Sequence, residues 1–143
     1  MSNDPNHKSM LAHVLLPVAN EDDALKTARA LEPYKPNHVT TIHVVEKSSG
    51  APDKTSVEQA EELAEESYAA IRSVFPDAED YTVYGQDIAA KIFEAADEVC
   101  ATAIAYRSRG GNRLMQFLAG DISIKLVTKA DCPVIALPRE EET

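Results

Sequence analysis

Apolar positions along the chain follow two rhythms, short unbroken runs and longer stretches with a repeat near three and a half residues. Residues 13–18 (HVLLPV) are an apolar run closed by Asn20, Glu21, Asp22 and Asp23, the pattern of a buried strand that ends in a polar loop. Ala24, Leu25, Ala28 and Leu31 then share a helical face, residues 20–23 offer caps and negative charge for its first turn, and Pro33 ends it. Residues 38–45 (HVTTIHVV) are rich in β-branched side chains and predict a second strand, followed by the loop KSSGAPDK. Ser56 and Gln59 stand at capping-box spacing. After them Val57, Ala60, Leu63, Ala64, Tyr68, Ile71, Val74 and Phe75 trace the stripe of a long second helix. Its other face carries Glu58, Glu61, Glu62, Glu65 and Glu66, which read as a solvated surface.

Past Pro76 the pattern repeats. Residues 81–84 predict a third strand stopped by Gly85, and Asp87 leads a third helix through Ile88, Ile92, Ala95, Ala96 and Val99. Residues 101–106 predict a fourth strand and RSRGGNR a loop. Residues 120–129 predict a fourth helix with Ile122, Leu126 and Val127 on one side, and residues 133–137 (PVIAL) a fifth strand. Five strands alternating with four helices imply βαβ units with right-handed crossovers, hence an α/β fold of three layers, α/β/α, around a parallel sheet. The length of 143 residues suits one domain, with residues 1–10 expected to be a flexible lead-in and residues 139–143 a charged tail.

Composition narrows the function. Lys plus Arg number 14 against 24 Asp plus Glu, a net charge of −10. With a pI near 4.8 this argues against a nucleic-acid surface, which needs a basic face. So acidic a surface would also suit a high-salt cytoplasm. No apolar stretch approaches the roughly 20 residues that span a bilayer. The opening MSNDPNHKSM lacks the order of a secretory signal, and two cysteines are too few for a disulfide framework, so a cytoplasmic protein is expected. Cys100 and Cys132 read as small buried residues. His7, His13, His38 and His43 show no ligand spacing with them, no metal site is expected, and no catalytic constellation is defined by spacing.

In an open α/β sheet ligands bind beyond the carboxyl ends of the strands, where strand order reverses, which directs attention to the loops VANEDD and RSRGGNRLMQFLAGD. The second has the parts of an anion cradle: Gly110 and Gly111 admit close backbone approach, and Gly120 opens a helix whose first N–H groups lack internal partners.

At these residues the chain resembles the universal stress protein family, a likeness running from HVLLPV through GNRLMQFLAGDISIKLVTKADCPVIAL. The resemblance implies strand order 3-2-1-4-5 and usually a homodimer, with some members binding ATP and others no nucleotide. ATP-binding members carry Gly, two residues, Gly, nine residues, then Gly followed by Ser or Thr. Matched backwards from Gly120, the second glycine is Gly110 and the first falls on Arg107. The hydroxyl position holds Asp121, and the aspartate beside the nucleotide after the first strand falls on Ala19. Pro17, Val44, Tyr106, Gly110, Gly120 and Ile122 remain where the resemblance implies contacts made by backbone or apolar groups.

Asp121 is the decisive departure, because a carboxylate about 4 to 5 Å from a phosphate charge costs about 3 to 4 kcal/mol per charge pair at an effective dielectric near 20. At a helix N-terminus the same carboxylate can take the place of the phosphate, gaining about 0.3 to 1 kcal/mol from the dipole. Arg107, Arg109 and Arg113 have three options: to neutralise Asp121, to grip a phosphate, or to point into water. A Mg²⁺ on Asp121 alone would lack partner ligands. The expectation is weakened or altered binding of ATP, another nucleotide or an anion, the alternative being a ligand-free dimeric interaction protein. The fifth strand, Pro133, Val134, Ile135, Ala136 and Leu137, is apolar on both faces although the implied topology puts it at a sheet edge, and antiparallel pairing with a twin would cover it.

Overall fold

The computed structural model describes residues 9–18, 20–46, 54–107 and 121–138, with the backbone alone at 46, 54–57 and 121–124. Five strands, β1 (Val14–Pro17), β2 (Val39–Glu46), β3 (Glu79–Gly85), β4 (Ala103–Arg107) and β5 (Val134–Leu137), form a parallel sheet ordered β3-β2-β1-β4-β5. Four helices connect them: α1 (Glu21–Leu31), α2 (Lys54–Arg72), α3 (Ile88–Glu98) and α4 (Asp121–Lys129). This is the three-layer α/β/α architecture that the alternating rhythms predict.

Strand alternation divides the core in two. Val14 and Leu16 of β1, Val39 of β2, Ala105 of β4 and Leu137 of β5 pack with Ala24, Ala28 and Leu31 of α1 and Ile71 of α2. Leu15, Ile42, Val44, Ile104 and Tyr106 face the other way, against Ile88, Ile92, Ala95 and Ala96 of α3 and Leu126 of α4. The central strand β1 is buried on both sides, which is why its sequence is an unbroken apolar run rather than an alternation.

Local chemistry sets the helix ends. Asn20 caps α1 by accepting the Asp23 amide at 2.8 Å, and Asp87 caps α3 by accepting that of Ala90 at 3.1 Å. Helix α3 closes in a Schellman motif, with the Cys100 amide donating to Asp97 O and the Ala101 amide to Ala96 O. Cys100 takes the left-handed position of that turn, φ 58°, and is exposed. It is therefore not the small buried residue its sequence context suggests, and Cys132 is only half-buried.

Other differences have equally local causes. Helix α2 starts at Lys54, so Ser56 lies inside it rather than capping it. It ends at Arg72, and Val74 and Phe75 reach the core from a turn whose amides donate to Ile71 O. Leu63 and Val127 are 43% and 56% exposed, because their neighbours Ala64 and Leu126, about 100° round the helix, occupy the inward positions. Asp23 stands in the first turn of α1 as expected, and there it is 2% exposed and accepts from the Thr27 hydroxyl at 3.2 Å.

Candidate functional site

The chain passes from β1 to β2 on one side of the sheet and returns to β4 on the other, so the reversal of strand order falls between β1 and β4. Pairing between these strands covers Val14↔Ala103 and Leu15↔Ile104, whereas β1 remains paired with β2 as far as Pro17↔Ile42 and β4 with β5 as far as Arg107↔Leu137. Pro17 has no amide hydrogen to extend the ladder. The pairing of the two central strands thus ends short of their carboxyl ends at the switch point, where open α/β sheets form their ligand crevice.

Pro17 continues the alternation of Leu15, and with Val44 and Tyr106 it lies on the α3–α4 face of the sheet. Val44 and Tyr106 are 5% and 6% exposed, so they form an apolar wall packed against the helices. Arg107 follows the opposite alternation: its register partner Leu137 belongs to the α1–α2 core, and the half-buried Arg107 projects to that side. The structure therefore separates Arg107 from Tyr106 by the thickness of the sheet, a division that loop spacing in the sequence does not reveal.

Helix α4 begins at Asp121, which puts a carboxylate residue in the first helical position, with Ile122 after it. Ala19, Arg109, Gly110, Gly111, Arg113 and Gly120 lie outside the described residues, as do the side chains of Asp121 and Ile122. Among the described residues no group of three His, Cys, Asp or Glu is arranged to hold a metal ion, and no helix is long and apolar enough to cross a membrane.

His43 of β2 is buried, 6% exposed. Sequence reasoning missed a groove of about 560 Å³ beside β5, bounded by Met10, Leu11, Leu31, Tyr34, Ile135 and Leu137. These residues come from three distant stretches of chain, and the large apolar side chains Met10 and Tyr34 stand exposed at its rim, 49% and 51%.

A doubly wound parallel sheet whose order reverses between its central strands is the architecture of an open α/β domain. The family model described as the universal stress protein family matches residues 10–138, and the chain belongs to that family. Among solved structures, the hypothetical protein MJ0577 superposes with a TM-score of 0.70 at 20% identity, covering 94% of this chain and all of its own. The universal stress protein from Archaeoglobus fulgidus in complex with dAMP gives 0.64 at 22% identity, covering 90% of this chain and 99% of its own. A universal stress protein in complex with cAMP gives 0.61 at 14% identity, with coverages of 90% and 99%. At these identities the likeness establishes the fold. No curated protein matches the chain in sequence.

Proposed function

We propose that this chain is a cytoplasmic, homodimeric stress-response module whose nucleotide or anion site is altered so that ordinary ATP binding is weakened or lost. The observation that carries the reading is Asp121 at the first position of α4, the helix that follows β4 in the chain. Free N–H groups at a helix start attract anions, and a carboxylate there competes with a phosphate for them. Relatives of the same fold solved with dAMP and with cAMP support a nucleotide as the ligand class that the crevice inherits. Arg107 in place of the first motif glycine and Ala19 in place of the aspartate after β1 support altered chemistry at the same end of the sheet. The candidate contacts are Pro17, Ala19, Val44, Tyr106, Arg107, Arg109, Gly110, Gly111, Arg113, Gly120, Asp121 and Ile122.

A second reading, a dimeric interaction protein without a ligand, is favoured by the near-complete burial of Val44 and Tyr106, which leaves little of the apolar wall open. Denaturing the purified protein and weighing what it releases separates the two: a bound nucleotide supports the first and its consistent absence the second. Titration calorimetry with ATP and Mg²⁺ is expected to show no micromolar binding to the wild type. The double change Asp121→Ser with Arg107→Gly is expected to raise ATP affinity about a hundredfold, the equivalent of about 3 kcal/mol of relieved repulsion. Micromolar binding by the wild type, or no gain in the variant, defeats the reading.

A further inference from the structure

At the end of the sheet opposite the crevice, four elements are tied through one histidine. His13, just before β1, holds the Thr40 hydroxyl of β2 through Nε2 at 2.7 Å, and its ring meets that of His38 edge to face with centroids 4.4 Å apart. His38 in turn lies 3.5 Å from the Glu79 carboxylate at the start of β3. The His13 amide donates to the Thr102 hydroxyl at 2.8 Å, and that hydroxyl reaches the Met10 and His13 carbonyls, both at 3.0 Å. One residue further along the lead-in, the Leu11 carbonyl accepts the Asn37 amide at 2.8 Å. Ser9, Met10 and Leu11 are a wall of the apolar groove beside β5, so the polar cluster at His13 fastens that wall to β2 and β4.

We propose that the His13–His38 pair is an acid-released latch: protonation of His13 loosens residues 9–13 from Thr102 and Asn37 and opens the groove beside β5. The charged groups that act on His13 are His38 from the chain before β2 and Glu79 from β3, while the connection from α3 to β4 contributes the backbone of Val99 and the hydroxyl of Thr102. Burial, and then the neighbouring His38, lower the pKa of His13 from 6.5, outweighing Glu79 and the Val99 backbone, which favour the charged ring. With the closed-state pKa below that of the released, solvated ring, closure is fully favoured above about pH 6.5 and weakens as pH falls toward the closed-state value.

Amide hydrogen exchange on the intact chain tests this, comparing pH 7 with pH 5 after correction for the intrinsic rates. The latch predicts a several-fold loss of protection at the His13 and Asn37 amides, two of the donors that hold the lead-in, with the Val18 and Ile104 amides of the sheet unchanged. His38→Gln, a half-exposed site that leaves the core intact, is expected to reduce the loss, and His13→Gln to abolish its pH dependence. The dye 1-anilinonaphthalene-8-sulfonate should brighten over the same range in the wild type and not in His13→Gln. Equal loss at all four amides means global destabilisation and overturns the latch, as does no loss in the wild type. A His38→Gln variant that responds to acid as the wild type does removes the pair from the explanation.

Discussion

Cys100 occupies the left-handed turn after α3, where a side chain is out of place. A residue with a Cβ in that region is strained by about 1 to 2 kcal/mol relative to the right-handed form, and glycine is the usual occupant of the corresponding Schellman position. Cys100→Gly is therefore expected to raise stability by up to about 1 kcal/mol, glycine's freedom in the unfolded chain offsetting part of the relief. Urea unfolding under reducing conditions measures it, and a loss of stability would show that the thiol makes a compensating contact. Asp23 teaches the complementary lesson. Three acidic residues in a row at a helix start look equivalent, yet Glu21 and Asp22 are exposed and Asp23 is buried with Thr27, because only the third lies on the inward face of α1 with Ala24, Thr27, Ala28 and Leu31.

Among the elements, α2 is joined to β3 by a buried hydrogen bond from Tyr68, besides the more exposed Arg72–Asp80 and Tyr84–Glu61 contacts. The Tyr68 hydroxyl donates to the Tyr81 carbonyl at 2.8 Å and lies 2.5 Å from Thr82 Oγ1, within a core where the tyrosine is only 5% exposed. Burial pushes its pKa from 10.0 up to about 12, against the opposing effect of the Thr82 hydrogen bond. A folded-state pKa above the unfolded value means that the unfolded chain loses its proton first. The associated stability is intact below about pH 10 and is lost as pH rises toward 12. Tyr68→Phe is expected to cost about 1 to 2 kcal/mol at neutral pH, through the stranded Tyr81 carbonyl and Thr82 hydroxyl, and to flatten the alkaline decline. Chemical denaturation at pH 8 and pH 11 reads both effects, and an unchanged alkaline slope in the variant would assign the decline to other groups. The length of α2 was legible in its stripe of apolar positions, but its start and end were not, since capping depends on where the preceding loop delivers the chain.

The whole molecule leaves β5 at one edge of the sheet, with Val134 and Ile135 partly buried and Ala136 exposed. An apolar strand with unpaired backbone on its outer side invites a partner, and we predict that the Pro133 to Leu137 segments of two copies pair antiparallel across a two-fold axis. Light scattering at low micromolar concentration is expected to give twice the 15.6 kDa of one chain. Particles of the single-chain mass alone would defeat it, and Ile135→Lys is expected to favour the monomer relative to the wild type. The other edge, β3, begins with Glu79 and Asp80, charges that discourage the same pairing there.

What the amino-acid order determined by itself was the succession of strands and helices, because burial on both faces forces unbroken apolar runs at β1 and β4 and burial on one face forces the helical stripes of α1, α2 and α3. The motif spacing from Arg107 through Gly110 to Gly120 and Asp121, with Ala19 after β1, was likewise legible there. Only the tertiary structure decided which face each strand residue serves, sending Tyr106 to α3 and α4 and Arg107 to α1 and α2. It alone brought His13, His38, Thr40, Glu79 and Thr102 to one end of the sheet. The reason is physical: periodicity reports how each residue meets its own element, whereas contacts between elements depend on sheet register and strand order, which no local repeat encodes.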